Sequence, residues 1–413
     1  MKAVGIVVEY NPFHNGHQFH LQNSLKESGA DVVIAVMSGY FLQRGEPAVV
    51  SKWARTKMAL QNGVDIVIEL PYAFSTQSAE IFAKGAVSIL DALFCQYLCF
   101  GSEQGDIEPF INTMDHLTNK KEQYEKILKE TLQKGYSYPK ATSIAFEAIT
   151  ADHKNMIDLK KPNNILGYQY IQAIRDLKSQ IKPLTIKRIG ADYHDETLHK
   201  TTIASATSIR KALFEHNDLY SLGEYMPNAS FQELKKYGDT FSMFHQWENY
   251  YPFFKYSILT KSLDELNEIY EMDEGLQYRL KAKILKSCSF HEFLQSVKTK
   301  RYTWTRLQRL CVHILTNTKK KEMLPASSST QAPYLRLLGM SQKGQRYLQK
   351  IKKHLSVPII AKLSAFDHPL LSLDVRAAHV YSLALPEPKR SSFIMKEYST
   401  PPIRYDEMEK QFL

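Results

Sequence analysis

Apolar and polar positions alternate over the first hundred residues in a way that is typical of an α/β fold. Nearly continuous apolar runs, which indicate strands buried on both faces of a parallel sheet, occupy residues 3–9, 31–37, 65–70 and 95–100. Helical patterns lie between them, at residues 17–27, 51–62 and 78–92. The order β-α-β-α-β-α-β predicts a parallel sheet wound with helices.

The remainder of the chain divides into two parts. A polar helical stretch and one further α/β step follow the first hundred residues, with a helix predicted near 163–174, a strand at 185–189 and a helix at 205–214. Beyond residue 230 the strand signals thin out. We therefore predict a Rossmann-like domain over residues 1–230 and a mostly α-helical domain over 231–413, with an exposed loop at 319–333.

Candidate chemistry begins directly after the first predicted strand, where His14-Asn15-Gly16-His17 precedes a helix. A helix N-terminus at the carboxyl edge of a parallel sheet favours phosphate. Two imidazoles three residues apart could face one anion, and Gly16 would let a nucleotide approach the backbone. Such a string also arises by chance. A zinc site of His14, His17 and His20 is a further alternative, but no suitably spaced carboxylate or cysteine completes it, so no metal ligand is predicted.

A second element at the start of the 205–214 helix strengthens the phosphate interpretation. Together with the H-x-G-H string, Ala204-Ser205-Ala206-Thr207-Ser208-Ile209-Arg210 resembles the nucleotidyltransferase superfamily, which is related to class I aminoacyl-tRNA synthetases. The superfamily usually shows Ile-Ser-Ser-Thr, so Ala204 and Ala206 depart from it. The resemblance implies that Ser205, Thr207 and Arg210 grip the β- and γ-phosphates of ATP.

Four further strings resemble a particular family, the bacterial tRNA(Met) cytidine acetate ligases, over essentially the whole chain. They are Met37-Ser38-Gly39-Tyr40-Phe41-Leu42-Gln43-Arg44-Gly45-Glu46-Pro47, Val67-Ile68-Glu69-Leu70-Pro71, Phe100-Gly101-Ser102-Glu103 and Pro162-Asn163-Asn164-Ile165-Leu166-Gly167. The resemblance implies that ATP, accompanied by Mg²⁺, and acetate form acetyl-adenylate. The acetyl group then passes to the wobble cytidine of elongator tRNA(Met), giving N4-acetylcytidine.

The resemblance also assigns roles to individual residues. His14, His17 and Arg210 are the catalytic residues that it implies. Its ATP contacts are Val7, Val8, Glu9, Tyr10, Asn11, Gly16, His20, Gly101, Asn163, Arg188, Ser205 and Thr207. From the residues alone, Gly101 could be a simple strand-ending turn, Asn163 a helix N-cap and Arg188 a surface charge.

The loop after the second predicted strand is a candidate acetate site. Gln43 and Arg44 follow that strand at the same sheet edge as the histidines. An arginine there could hold a carboxylate through two parallel hydrogen bonds. A mobile loop with a solvated ion pair is the alternative.

Charge is concentrated in one part of the chain. Residues 281–360 carry 17 Lys and Arg against two acidic residues, a net of +15, whereas the whole chain carries +10. This excess favours a polyanionic partner over a solvated helix face. Aromatic residues interleave with the cations, among them Tyr334 and Tyr347. We predict contact with single-stranded tRNA through stacking and phosphate binding at Arg301, Tyr302, Trp304, Arg306 and Arg309.

Cysteine usage and hydropathy bear on the setting of the chain. Cys95, Cys99, Cys288 and Cys311 form no Cys-x-x-Cys pair, and no apolar run approaches the ~20 residues of a membrane span. We expect a cytoplasmic protein that does not act at a membrane. Two other functions stay open: a small-molecule adenylyltransferase of cofactor biosynthesis and a non-catalytic, ATP-sensing RNA-binding protein.

Overall fold

The computed structural model describes residues 1–150, 155–188, 203–215, 219–328 and 331–413. Its strands are β1 (Ala3–Val8), β2 (Val32–Ser38), β3 (Ile66–Leu70), β4 (Tyr97–Ser102), β5 (Lys182–Lys187), β6 (Leu335–Ser341), β7 (Ile359–Ile360), β8 (Ile403–Asp406) and β9 (Gln411–Phe412). No helix in the described ranges is both long and apolar enough to cross a membrane.

Helices surround these strands. In the first half of the chain they are α1 (Asn15–Ser28), α2 (Lys52–Gln61), α3 (Tyr72–Ser75), α4 (Ala79–Ala92), α5 (Glu108–Asn119), α6 (Lys121–Gln133), α7 (Tyr138–Thr150), α8 (Pro162–Asp176) and α9 (Ala206–Glu215). In the second half they are α10 (Asn228–Phe241), α11 (Trp247–Thr260), α12 (Leu263–Asn267), α13 (Leu276–Ile284), α14 (Phe290–Val297), α15 (Trp304–Leu315), α16 (Lys320–Ser328), α17 (Gln342–Ile351), α18 (Pro369–Ser382) and α19 (Lys389–Ser399).

Five parallel strands form the centre of the sheet in the order β5-β4-β1-β2-β3. The predicted α/β fold is confirmed, and each of the first four predicted strands lies within two residues of its predicted bounds. The fifth begins earlier than predicted, and Ile189, its predicted end, lies outside the described residues. The strand order reverses between β1 and β4, and such a switch point is where open α/β sheets bind ligands.

The sheet also includes strands from the C-terminal part, which the sequence analysis did not predict. Strand β6 pairs antiparallel with β3, and β8 and β9 continue the sheet beyond it. Arg336 interrupts the apolar pattern of β6, yet it is buried. Its guanidinium donates to Glu397 of α19 at 3.2 Å, and Lys52 of α2 bridges Glu397 and Glu69 at 2.7 Å each. This ionic network connects the two parts of the chain.

Hydrophobic packing covers both faces of the sheet. On one face, α4 and α8 pack over β2, β3 and β4, and their core continues into the helices of the second half. On the other face lie α1, α2, α9 and α10. Helices wind on both sides because the strands are apolar on both faces, as the sequence predicted.

One loop prediction is wrong. Residues 319–333 were expected to form an exposed loop, but α16 begins at Lys320 and runs to Ser328. Met323 and Ala326, one helical turn apart, are buried in the core, and Glu322 accepts a hydrogen bond from the backbone N–H of Lys319 at 2.7 Å. Tertiary packing of these apolar positions outweighs the Ser-rich composition that suggested a loop.

Candidate active site

A cleft of about 1550 Å³ opens at the carboxyl ends of the central strands, beside the point where the strand order reverses. We call it the active-site cleft. The predicted residues that line it are Val7, Val8, Glu9, His14, Gly16, His17, His20, Gln43, Arg44, Gly101, Asn163, Arg188, Ser205, Thr207, Arg210, Arg306 and Arg309. They come from β1, α1, β4, α8 and α9 or from residues next to them, from the segments that follow β2 and β5, and from α15. The fold therefore brings them to one cavity.

His14 and His17 form the cap of helix α1. Nδ1 of His14 accepts the backbone N–H of Gly16 at 3.0 Å, and Nδ1 of His17 accepts the backbone N–H of His14 at 3.3 Å. A ring nitrogen that accepts carries no proton, so both neutral rings hold their proton on Nε2. The ring centroids lie 3.9 Å apart. Two adjacent imidazoles, tilted by 36° to each other, thus offer N–H donors at the N-terminus of a helix that lines the cleft.

The environment keeps these imidazoles neutral. Burial, and then the positive charges of Arg188 and Arg210, lower the pKa of His14 to about 3. Burial, followed by the neighbouring His14, His20 and Arg188, lowers the pKa of His17 well below its ordinary value. Burial and Arg188 lower the pKa of His20 to about 4. At neutral pH the cleft therefore presents uncharged imidazole donors beside fixed arginine cations.

His20, Gly101 and Arg188 meet on the β4–β5 side of the cleft. A side chain on Gly101 would place its Cβ 3.5 Å from Cγ of Arg188 and 3.9 Å from Cδ2 of His20, inside the cavity. Nε2 of His20 is buried without a hydrogen-bond partner among the described residues. The missing Cβ of Gly101 leaves room for a ligand, and the unpartnered nitrogen of His20 offers it a hydrogen-bonding group.

Arg210 is anchored at two points. It donates to the carbonyl of Asn11 at 3.0 Å and to Oε2 of Glu46 at 3.0 Å. Its helix, α9, begins beside Ser205, whose hydroxyl accepts the backbone N–H of Ser208 at 3.0 Å. The departures from the superfamily pattern, Ala204 and Ala206, also line the cleft. Arg210 and the first turn of α9 therefore face the same space as the histidines.

Asn163 lies just inside helix α8 and does not cap it, because the helix begins at Pro162 and its N-cap is Lys161. Its amide Nδ2 donates to Glu103 at 2.7 Å, and Glu103 also accepts the backbone N–H of Asn164 at 2.9 Å. The carboxylate satisfies the free N–H groups of the helix start. It also fixes the Asn163 side chain beside the end of β4.

The loop that follows β2 packs against the C-terminal part of the chain. Gly45 has a φ of 78°, and a Cβ there would lie 2.3 Å from the backbone nitrogen of Arg309. Nε1 of Trp247 donates to the carbonyl of Gly45 at 2.8 Å. Only glycine fits this left-handed, closely packed position. The loop is therefore held against α15 and is not a mobile, solvated segment.

Gln43, in the same loop, uses most of its donors internally. Its backbone N–H donates to Glu9 at 2.9 Å and its amide donates to the carbonyl of Gln77 at 2.8 Å. Burial raises the pKa of Glu9. Arg44 also lines the cleft.

The fold places the residues around 301–309, which we predicted to contact RNA, in different surroundings. Arg306 and Arg309 line the cleft, but Arg306 pairs with Asp273 at 3.0 Å and Arg309 with Glu271 at 2.9 Å. Arg301 and Trp304 do not line it; Arg301 pairs with Glu274 at 2.6 Å. Sequence reasoning could not anticipate these acidic partners, because they lie 27 to 38 positions earlier in the chain.

Three aromatic residues of the basic region offer little accessible ring surface: Tyr302, which we predicted to contact RNA, and Tyr334 and Tyr347, which interleave with the cations. Tyr302 is 6% exposed and donates its hydroxyl to Glu274 at 2.6 Å. Tyr334 and Tyr347 are buried in the hydrophobic core. Their rings fill space between helices and strands, and no base can reach them.

Tyr10 and Asn11 lie behind the wall of the cleft. Tyr10 is 1% exposed and packs in the core, while Oδ1 of Asn11 accepts the backbone N–H of Val49 at 2.7 Å. They support the histidine loop from behind. Their role as direct ATP contacts stays a prediction of the resemblance alone.

The described residues contain no group of three His, Cys, Asp or Glu side chains that could hold a metal ion. The main feature that sequence reasoning missed is Glu46, the ion-pair partner of Arg210. It also missed the contribution of α6 and α7, whose residues line the outer part of the cleft. Their polar helical pattern gave no sign of which face would point inward.

The parallel sheet, the switch-point cleft and the capped histidine pair define a nucleotidyl transferase of the HIGH type. The family model described as HIGH Nucleotidyl Transferase matches residues 1–394, and the chain belongs to this family. Within it, the chain is a member of the tRNA(Met) cytidine acetate ligases, as the sequence motifs predicted. Membership makes it an enzyme of the ligase class.

Relatives and solved structures support this assignment over the full length. The tRNA(Met) cytidine acetate ligase of Bacillus subtilis (strain 168) is 54% identical over 415 residues, covering 100% of both chains. That of Geobacillus sp. (strain WCH70) is 52% identical, covering 98% of this chain and 100% of the relative. The crystal structures of Thermotoga maritima TmcAL, apo and bound with alpha-thio ATP, have TM-scores of 0.90 and 0.89 at 35% and 34% identity, each covering 98% of this chain and 100% of theirs.

Proposed function

We propose that this chain is an ATP-dependent acetate ligase that forms acetyl-adenylate and acetylates the wobble cytidine of elongator tRNA(Met), giving N4-acetylcytidine. The observation that carries the proposal is the pair of capped, neutral imidazoles of His14 and His17, facing the cleft beside Arg210. The chain that contains it matches ligases of that name from end to end. We place its action in the cytoplasm, where tRNA and ATP occur together.

In the first step, a carboxylate oxygen of acetate attacks the α-phosphorus of ATP in line with the bond to pyrophosphate. A new P–O bond forms and the bond to pyrophosphate breaks. The Nε2–H groups of His14 and His17 donate to the developing charge, and Arg210 exchanges Glu46 for the leaving phosphates. Arg44 holds the acetate carboxylate, with Gln43 beside it. These residues position and stabilise, and no covalent enzyme intermediate is required.

Nucleotide binding is assigned to the inner wall of the cleft. Gly101 allows close approach, and the unpartnered Nε2 of His20 is available to the nucleotide. Gly16, whose missing Cβ leaves room for the His14 ring, is a further proposed contact through its backbone. The remaining contacts that we propose are Val7, Val8, Glu9, Asn163, Arg188, Ser205 and Thr207. Mg²⁺ would arrive with the ATP phosphates.

In the second step, the exocyclic amine of cytidine attacks the acetyl carbon of the mixed anhydride. An amide C–N bond forms, the C–O bond to AMP breaks, and the amine releases one proton to solvent. A base in the anticodon loop is already unpaired, so bringing it into the cleft costs less than flipping it from a duplex.

Isotope exchange between pyrophosphate and ATP tests the proposal. Exchange that requires acetate supports it, and acetate-labelled tRNA should then accumulate when elongator tRNA(Met) is added. Exchange that requires another acceptor instead indicates a small-molecule adenylyltransferase. Absence of exchange under every condition indicates an ATP-sensing protein without turnover.

A further inference from the structure

Three tyrosines from three helices lie on the outer wall of the active-site cleft. Tyr124 of α6, Tyr138 of α7 and Tyr168 of α8 all line it. Tyr138 is 63% exposed, and the other two are half-buried. Burial, together with the neighbouring Tyr138 and Tyr168, raises the pKa of Tyr124 to about 12. An exposed ring at the rim of a catalytic cleft is available to a ligand.

Lysines accompany the tyrosines. Lys121 of α6 and Lys140 of α7 line the same wall, and both are exposed. The side chain of Lys121 is 71% exposed, and its pair with Glu125 spans 3.8 Å, so the pair contributes little and can exchange partners. Glu80 and Glu125 also reach the wall. Even so, the described cleft lining has more cationic than anionic side chains.

Residues 301–309, which the sequence favoured for RNA binding, suit a nucleic acid less well than the wall that carries Tyr138. There Tyr302 is buried, and Arg309 is committed to an enclosed ion pair with Glu271, with side chains only 10% and 13% exposed. An RNA strand needs accessible ring faces next to cations that can change partners. Tyr138 and its neighbouring lysines meet both needs.

We propose that the tyrosine–lysine wall, formed by Lys121, Tyr124, Tyr138 and Lys140, binds a single-stranded RNA segment next to the reacting base. Tyr138 stacks on an unpaired base, and Lys121 and Lys140 contact the phosphates that flank it. The inference rests on the proposed function. The wall and the histidines line the same cleft, so the RNA that the enzyme would acetylate there is the expected occupant of the wall. A duplex does not fit the same role, since its base faces are already stacked.

Substitution of Tyr138 tests the stacking contact. The probe is a fluorescently labelled anticodon stem-loop of elongator tRNA(Met), and its dissociation constant is measured by anisotropy. Tyr138→Ala should weaken binding about fivefold or more, whereas Tyr138→Phe, which keeps the ring, should bind within about twofold of the wild type. Tyr136→Ala is the matched control, because Tyr136 is a nearby tyrosine, 46% exposed, that does not line the cleft. It should bind like the wild type.

The lysines give a second, independent measurement. Log affinity falls linearly with log salt concentration. In a Lys121→Ala, Lys140→Ala double variant the fall should be less steep, by about 0.7 in the slope for each phosphate contact that is lost. Lys126→Ala, an exposed lysine of the same helix outside the cleft lining, should leave the slope unchanged. Melting temperatures would identify any variant that does not fold. If one set of variants, tyrosine or lysine, does not fold, the other set tests the inference.

The inference is overturned if Tyr138→Ala and the double-lysine variant both bind the probe as the wild type does, or if Tyr136→Ala loses as much affinity as Tyr138→Ala. Pyrophosphate exchange by the wild-type enzyme without RNA is measured separately. Absence of exchange would reject the proposed chemistry. The role of the wall would still be decided by the RNA affinities of the variants.

Discussion

Arg210 of α9 and Glu46 of the loop after β2 form an ion pair, with 3.0 Å between Nη2 and Oε2. Both residues line the active-site cleft, and their side chains are 19% and 31% exposed. A phosphate that approaches Arg210 would therefore compete with Glu46 for the guanidinium. The pair holds the arginine in position before the nucleotide arrives, and it joins a helix and a loop through residues that are 164 positions apart in the chain.

Arg210→Ala should weaken the use of ATP, because it removes a fixed positive charge from the proposed phosphate site. We expect a loss in acetate-dependent pyrophosphate exchange of about tenfold or more. Affinity for tRNA should stay nearly unchanged. Arg175→Ala is the control, since Arg175 pairs with Asp115 outside the cleft lining. Equal losses of ATP use and of tRNA affinity would assign α9 to the RNA interface instead.

Substitution of the histidines separates capping from catalysis. His14→Asn keeps a residue that caps helices well, so the fold should persist while acetyl-adenylate formation falls by at least about tenfold, equivalent to about 1.4 kcal/mol or more. His17→Ala should give a similar loss. Circular dichroism would monitor the fold, and exchange rates the chemistry. Near wild-type exchange in both folded variants would remove the histidines from the mechanism.

The rate of acetate-dependent pyrophosphate exchange should show no titration step near pH 6.5. The pKa of His14 is about 3 and that of His20 about 4, so both imidazoles are neutral from pH 5.5 to 8. The rate should not rise as the pH falls through 6.5. A rise there that disappears in His14→Asn would show that a cationic imidazole is required.

The same depressed pKa values have a consequence for stability. The unfolded chain takes up protons on these histidines near pH 6.5, before the folded chain does. Their contribution to the free energy of unfolding is therefore fully present above pH 6.5 and declines as the pH falls toward 4. Urea unfolding of the wild type and of His14→Asn at pH 7 and pH 5 measures this effect. The free energy of unfolding should fall less between pH 7 and pH 5 in the variant than in the wild type.

Arg306 and Arg309 should respond differently to neutralisation. Arg306 forms an exposed pair, so Arg306→Ala should leave the fold intact and, if the residue contacts RNA, lower the salt slope by about 0.7. Arg309→Ala would leave Glu271 enclosed without its partner, which costs on the order of 3 kcal/mol in a buried pair. Salt titrations of tRNA binding and urea unfolding would measure the two effects. An unchanged slope in Arg306→Ala would exclude it from the RNA interface.

The sequence alone determined the central sheet and the identity of the family. Strands β1 to β4 are apolar on both faces, so their positions follow from local composition. The H-x-G-H string lies between a strand and a helix, and that local context predicts a phosphate site at the N-terminus of α1. These features depend on residues that are close in the chain, which is why they can be predicted from it.

Only the tertiary structure decided how distant segments meet. Arg336 lies in a buried strand because Glu397 and Glu69 neutralise it, and no local pattern reveals that partnership. In the same way, Glu271 shields Arg309, while the wall with Tyr138 stays accessible. A count of charges along the sequence cannot separate cations that are paired inside the fold from those that face solvent. Their partners are chosen by the packing of elements far apart in the chain.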